Sequence, residues 1–364
     1  MLTEAAIRFV IQEKSNPVNY NVIIRDKKLS STSKNITVVT GIRRCGKSTL
    51  LSNSLKKKKR KIFLNFEDTR LDGFELSDFL KLEKIAVSMK VKCLILDEIQ
   101  NINGWEKYIR SAHDKGYQVF ITGSNASMLS RELGTKLTGR YIQAELFPFN
   151  YHEFLLYTKN KASANSLKRY LSKGGFPEYL YKRDDEYLRT LLRDIVVRDI
   201  AVRRNIRNEH ILLRLALNLM SNVGKEISYN RTSQAVGIKS VRTTIDYCDY
   251  LTESYLFDFI PRFSFSIKQQ LVNPKKVYSV DTGMTRSNSL SFNEDWGRML
   301  ENSVFIHLRR SYTDIMYYND GNSECDFLIR KNERILLAVQ VCWQLTGDNL
   351  NREIRGLKNA MLAT

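Results

Sequence analysis

Proline is scarce in this chain, five in 364 residues, so few rigid breaks interrupt it and element boundaries must be read from hydrophobic pattern. Cysteine is equally scarce. Cys45, Cys93, Cys248, Cys325 and Cys342 are an odd number, and no two stand as Cys-x-x-Cys. That argues against a disulfide framework or a thiolate zinc site and predicts a reducing, cytoplasmic setting. The four histidines have no metal-ligand spacing. No apolar run approaches the ~20 residues that span a bilayer, so no membrane segment is expected. Met1-Leu2-Thr3-Glu4-Ala5 carries an early acid and no basic stretch, unlike a secretory leader. Acid is also in deficit: 39 Asp+Glu face 58 Lys+Arg, a formal charge of +19. Such a field favours polyanions, nucleic acid before anionic membrane, unless it serves solubility alone. The length fits about two to three domains.

What the chain does have is Gly41-Ile42-Arg43-Arg44-Cys45-Gly46-Lys47-Ser48-Thr49, after the apolar run Ile36–Thr40 and before a helix start at Ser48–Leu51. This is G-x-x-x-x-G-K-[ST] in a strand–loop–helix setting. Glycines let backbone N–H groups close around phosphate, and the positive end of the next helix adds to the field. The expected nucleotide-binding residues are therefore Gly41, Arg43, Arg44, Cys45, Gly46, Lys47, Ser48 and Thr49. Lys47 would reach the β- and γ-phosphates of ATP, and the Ser48 hydroxyl would ligate Mg²⁺.

Before this loop the pattern predicts a helix from Glu4 to about Lys14 and a strand at Asn21–Arg25. After it come Lys56–Lys61, a solvated helix end or a nucleic-acid grip; strand Lys61–Asp68; helix Leu76–Met89; and the apolar run Cys93–Leu96 ending in Asp97-Glu98. A near-continuous apolar run suits a strand buried on both faces of a parallel sheet, and acids at its carboxyl end lie where such sheets bind ligands. Asp97 would hold Mg²⁺ beside Ser48, and Glu98 would polarise the attacking water. A helix around Trp105 leads to strand Gln118–Thr122 and the turn Gly123-Ser124-Asn125. Ser124 or Asn125 would sense the γ-phosphate, or the pair is an ordinary turn and cap; sequence does not choose. Arg140, before strand Tyr141–Leu146, is either an arginine finger toward a neighbour's nucleotide or a local ion pair.

The loop at 41–49, Leu-Asp-Glu-Ile-Gln at 96–100, Thr-Gly-Ser-Asn at 122–125, and Gly-Arg-Tyr before Leu-Phe-Pro-Phe resemble the predicted AAA-type ATPases of archaea and anaerobic bacteria. The resemblance runs over nearly the whole chain and implies an α/β P-loop NTPase (AAA+-like) parallel sheet with a helical lid. A winged helix and an α+β domain similar to restriction endonucleases would follow. Its boundaries would be 1–150 for the ATPase core, 151–205 for the lid, 206–268 for the winged helix and 269–364 for the nuclease-like domain. It implies Lys47 and Ser48 on phosphate and Mg²⁺, and Asp97 and Glu98 as the metal-and-water pair.

The later residues agree in part on their own. Residues 150–205 read as helices broken at Gly174-Gly175-Phe176-Pro177. Arg193, Arg198, Arg203, Arg204 and Arg207 crowd the end, as solvated helix surface or facing phosphates or DNA. A helix-turn-helix is expected at Asn230–Val236, Gly237-Ile238 and Ser240–Thr252. Ile238, Val241, Ile245 and Leu251 would be buried, and Lys239, Arg242, Thr243 and Thr244 exposed toward double-stranded DNA. Tyr255–Phe263 suits a wing hairpin. In the last part, Glu301, Glu324 and Asp326 are acids near a strand pair. Gln340 and Cys342 stand where a restriction-type site places Glu and Lys. Glutamine is a poor Mg²⁺ ligand and cysteine supplies no ammonium, so this domain is expected to bind or scaffold rather than cleave. The expectation is a Mg²⁺-dependent ATPase coupled to DNA or a partner protein, and a homo-oligomer if Arg140 acts in trans. The alternatives are a nucleotide-gated switch with little turnover and, behind it, an ATP-regulated nuclease.

Overall fold

The computed structural model describes residues 2–13, 23–30, 35–56, 58, 60–123, 139–182, 184–290 and 295–364. The chain forms two compact units, Met1–Leu146 and Phe147–Thr364.

The first unit is built on five parallel strands: β1 (Ile36–Thr40), β2 (Lys61–Asn65), β3 (Cys93–Asp97), β4 (Gln118–Thr122) and β5 (Tyr141–Glu145), in the order β2-β3-β4-β1-β5. Every residue of β1 and β3 is buried. The sequence pays for that with Ile, Val, Leu and Cys on both faces, as interior parallel strands require. Four helices belong to this unit: α1 (Glu4–Glu13), α2 (Lys47–Ser54), α3 (Asp78–Ser88) and α4 (Trp105–Asp114). Phe79, Leu82, Ile85 and Ala86 of α3, and Trp105, Tyr108, Ile109 and Ala112 of α4, recur at helical spacing and are buried. The Phe79 and Tyr108 rings stack at 4.1 Å between centroids. The register sets Asn65 opposite Asp97 and Val39 opposite Thr122. The carboxyl ends of β1, β3 and β4 therefore lie side by side, where an open α/β sheet takes its ligands.

The strand expected at Asn21–Arg25 does not form where it can be followed. Asn21 and Val22 lie outside the described residues, and Ile23–Arg25 is irregular. Ile24 is 85% exposed while Arg25 is buried, the reverse of a core strand's pattern. Of the basic run after α2, Lys57 and Lys59 are outside the described residues. Lys61 donates to the Leu55 carbonyl at 2.7 Å, where a cation suits a helix's carboxyl end.

The second unit begins with α5 (Tyr151–Thr158), α6 (Ala164–Lys173), α7 (Pro177–Lys182) and α8 (Asp185–Asp194), the last continuing as a π-helix over Ile195–Val202. The break between α6 and α7 has a backbone cause. Gly175 accepts from the Phe149 amide at 2.7 Å, and a Cβ there would sit 2.1 Å from the Phe149 carbonyl oxygen. Only glycine permits that approach. Three of the five arginines near the end of this helical run pair locally: Arg198 with Asp194, Arg203 with Asp199, and Arg204 with Glu253.

Next come α9 (Glu209–Met220), β6 (Glu226–Ile227), α10 (Tyr229–Val236), α11 (Val241–Glu253), β7 (Phe257–Pro261), α12 (Ile267–Val272) and β8 (Lys275–Ser279). The strands form an antiparallel sheet in the order β6-β8-β7. The 268/269 boundary thus falls between two paired strands. The expected hairpin at Tyr255–Phe263 is corrected in one respect. β7 forms, but its partner is β8, with α12 inside the connection, because the chain leaves β7 toward a different sheet: Phe263 N–H donates to the Tyr317 carbonyl at 2.7 Å. Two further expectations in the helix pair are corrected. Val241, expected in the buried face, is 38% exposed, and Thr244, expected at the surface, is fully buried. Position 244 turns inward with Cys248 and Leu251, at i+4 and i+7.

The chain ends with α13 (Thr282–Asn288), α14 (Trp296–Arg309), the strands β9 (Ile315–Asn319), β10 (Glu324–Lys331) and β11 (Arg334–Val339), and α15 (Gly347–Ala363). The three strands are antiparallel in the order β11-β10-β9. Met316, Cys325 and Leu328 of this sheet pack on Ala360 of α15. No helix among the described residues is long and apolar enough to cross a membrane.

Candidate functional site

The loop between β1 and α2 is shaped by three positive φ values: Gly41 at 138°, Arg44 at 65° and Gly46 at 99°. Gly41 has a second constraint, since a Cβ would meet the Leu146 carbonyl oxygen at 2.1 Å. Gly46 caps α2 in the left-handed region and no side chain caps the helix, so its first amides remain available to an anion. Lys47 is only 5% exposed. Its Nζ donates to the carbonyls of Gly41 at 3.1 Å and Ile42 at 3.2 Å, and stands 3.8 Å from Glu98 Oε1. Carbonyl dipoles hold an ammonium in place without neutralising it, so positive charge faces the cradle.

The other loop residues divide by exposure. Arg44 and Thr49 are exposed; Arg43 is half-buried and pairs with Glu67 at 3.1 Å. Cys45 is fully buried; its Sγ donates to the Leu146 carbonyl at 3.3 Å, and its own carbonyl accepts from Arg25 Nη1 at 3.0 Å. Burial raises the Cys45 pKa against the opposing pull of Lys47, so this thiol is a packing group, not a nucleophile.

Asp97 ends β3 fully buried and hydrogen-bonds to the hydroxyls of Ser48 and Thr122. Burial pushes its pKa up, and those two hydroxyls oppose the rise. Its Oδ2 is buried with no hydrogen-bond partner. An orphaned carboxylate oxygen costs about 1–3 kcal/mol or more, and a hard cation beside Ser48 and Asp97 would satisfy it. The residues present therefore fit Mg²⁺. Glu98, next in the chain, has φ 52°, which turns its side chain back toward the loop. Its amide donates to Thr122 Oγ1 at 2.9 Å, and its Oε2 accepts from Gln100 Nε2 at 2.5 Å. Lys47, Ser48, Asp97 and Glu98, 50 residues apart in sequence, thus share one edge of the sheet.

Ser124 and Asn125 lie outside the described residues. Arg140 is not at this edge. Its carbonyl accepts from Ile36 N–H at the start of β1, the opposite end of the strand from the loop, and its guanidinium pairs with Asp114 at 3.0 Å. Sequence reasoning passed over Thr122, Gln100 and Arg25. The first two sit inside motifs already singled out at 122–125 and 96–100. Nothing in the sequence around Arg25 signals its hydrogen bond.

A second charged cluster lies in the other unit. Lys276 of β8 is 3% exposed, and its Nζ contacts Glu301 Oε1 at 3.0 Å, Glu324 Oε1 at 2.5 Å and Asp326 Oδ1 at 3.2 Å. Tyr278 donates to Glu301 at 2.6 Å, and Val341 N–H donates to Asp326 Oδ2 at 2.8 Å. Burial pulls the Lys276 pKa down, but Glu301, Asp326 and Glu324 outweigh it and hold the amine charged. Burial raises Glu301 to about 7 despite Lys276. Gln340 donates to Glu353 at 2.6 Å, and Cys342 Sγ donates to the Gln344 carbonyl at 3.2 Å. The fold does bring Glu301, Asp326 and Gln340 together, and it adds an ammonium that sequence reading missed. That ammonium is saturated by carboxylates, and among the described residues no three His, Cys, Asp or Glu side chains form a metal-holding set.

Comparison with known proteins agrees with the first site. Residues 33–155 match an AAA domain, and residues 164–295 match a domain of unknown function, DUF8612. The uncharacterised protein MJ1544 of Methanocaldococcus jannaschii is 35% identical over 371 aligned residues, covering 93% of this chain and 82% of that protein. An uncharacterised protein of Haemophilus influenzae is 32% identical over 334, covering 85% and 83%. Among solved structures, Cdc6p from Pyrobaculum aerophilum aligns over 62% of this chain and 80% of its own at 13% identity, with a TM-score of 0.29, too low to carry an argument. With a parallel sheet, a phosphate-type loop and an AAA-domain match in one unit, and full-length relatives above 30% identity, the chain belongs to the AAA-domain P-loop family that includes MJ1544.

Proposed function

We propose that the protein is a Mg²⁺-dependent ATPase whose nucleotide cycle is coupled to DNA or to a partner protein in the cytoplasm. The observation that carries this reading is the convergence of Lys47, the Ser48–Asp97 pair and Glu98 on one edge of the sheet. Lys47 takes the β- and γ-phosphates, with the free amides of α2 behind it. Ser48 and Asp97 hold Mg²⁺, which when bound neutralises charge on the phosphates. Glu98 accepts the proton of the attacking water. Catalysis is then positioning and charge stabilisation, as phosphoryl transfer requires.

The coupling half rests on charge and on the second unit. The chain's +19 favours a polyanion, and α10, its Gly237 turn and α11 with the β6-β8-β7 sheet are the parts of a winged helix. Lys239 and Arg242 are exposed at the start of α11. The C-terminal module, β9 to α15, serves binding or scaffolding. Gln340 is engaged with Glu353, and Lys276 is fully paired, so neither group is free for a phosphodiester.

Steady-state phosphate release tests the reading. Lys47→Ala loses nucleotide binding; Glu98→Gln binds nucleotide and does not turn it over. Turnover by Glu98→Gln at the wild-type rate overturns the role of Glu98, and a wild type that binds nucleotide without releasing phosphate makes the protein a nucleotide-gated switch instead.

A further inference from the structure

We propose that Gln100 is a positioning residue that aims Glu98 and keeps its carboxylate a competent base. The inference rests on the reading of Glu98 as base. Glu98 is 8% exposed, with Oε1 3.8 Å from Lys47 Nζ and Oε2 2.5 Å from Gln100 Nε2. Of these two contacts, the one with Lys47 cannot persist through a cycle in which Lys47 moves onto phosphate. The one with Gln100 can. Gln100 lies two residues on, in the short 3₁₀ turn Ile99–Asn101, and the fully buried Ile99 anchors that turn. Its amide therefore returns to Glu98 from a fixed piece of backbone.

The chemistry of the donor suits the task. A hydrogen bond to the charged form keeps a buried carboxylate ionised, whereas a cation in the same place would suppress its basicity further. A neutral amide restrains the carboxylate and leaves it able to take a proton. Gln100 itself is 7% exposed, and its Oε1 is buried without a hydrogen-bond partner. Such an orphan costs stability, so a packing role alone is a poor account of an amide here; a methionine of the same length would pack without that cost.

The test is Gln100→Met, which keeps length and removes the donor, beside Gln100→Glu, which sets a second carboxylate against Glu98. Both are measured with Glu98→Gln in parallel. Gln100→Met lowers kcat about tenfold or more, leaves nucleotide affinity within about threefold, and moves the acid limb of the kcat–pH profile upward by about one unit. Gln100→Glu moves that limb further. An unchanged kcat and profile in both variants, with Glu98→Gln inactive, overturns the role of Gln100 alone. Wild-type turnover by Glu98→Gln overturns the base assignment beneath it. A folded Gln100→Met protein that loses affinity and kcat in proportion, with the profile unmoved, shows a structural residue and also overturns the proposal.

Discussion

The Thr122 hydroxyl accepts the Glu98 backbone N–H at 2.9 Å and donates its own proton to Asp97. One side chain at the end of β4 therefore fixes both acids at the end of β3. Thr122→Val keeps the shape and the β-propensity but removes the bridge. Asp97 then loses a donor in a fully buried place, and the Glu98 amide loses its acceptor. The expected outcome is a stability loss of about 1–3 kcal/mol by urea denaturation and a fall in kcat of tenfold or more. Thr122→Ser, which keeps the hydroxyl, recovers most of the turnover. A Val variant as active as wild type would remove Thr122 from the site's machinery.

Gly41 gives a prediction about the loop's backbone. At φ 138°, a Cβ would lie 2.1 Å from the Leu146 carbonyl oxygen, and backbone cannot swing aside as a side chain can. Gly41→Ala should lose at least about 2 kcal/mol and most nucleotide affinity, because the cradle opens. Gly73→Ala is the control. Gly73 also has a positive φ, 80°, but open space around it, so it should lose about 1 kcal/mol of backbone strain and keep affinity. Thermal unfolding and nucleotide titration of the two variants separate crowding from strain.

These residues mark where the sequence can and cannot be read. Gly41–Thr49 and Asp97-Glu98 are legible because strand pattern, turn chemistry and spacing agree over short distances. The buried runs of β1 and β3 are legible for the same reason. Thr122 is visible only as a strand end, since its two partners follow from the register of β3 on β4. Lys276 reads as one more basic residue, because its carboxylates come from 25 to 50 residues downstream. Phe257–Pro261 reads as half of a hairpin, but its partner strand begins only at Lys275, beyond a helix. In each case the missing information is tertiary pairing, which local periodicity does not encode.

The DNA half of the function turns on Lys239 and Arg242, both exposed at the start of α11; Arg242 is held only by an exposed pair with Asp246 at 3.2 Å. An exposed pair of this kind contributes about 0–1 kcal/mol, so the guanidinium can leave it for a phosphate or a base. The double substitution Lys239→Ala/Arg242→Ala should weaken binding to a labelled duplex and flatten the dependence of log K on log salt by about one to two units. No duplex shift by the wild type at low salt would leave a protein partner as the object of the cycle.

The Lys276 cluster supplies a pH prediction. Glu301 is held at about 7 in the fold, above the ordinary glutamate value, chiefly by burial. A carboxyl raised in this way contributes stability that is fully present below its unfolded pKa and lost as pH rises through the folded value. The wild type should therefore be more stable at pH 6 than at pH 8 through this group. Lys276→Met removes the ammonium that opposes the rise and leaves Glu301 and Asp326 facing each other in the interior. Breaking a buried pair by removing one partner costs about 3–5 kcal/mol. That deficit should be largest at pH 8, where both acids must stay charged, and should shrink toward pH 6 as Glu301 takes up a proton. Urea denaturation of both proteins at the two pH values measures it. A deficit equal at both values would mean that the cluster's carboxylates do not depend on Lys276 for their charge.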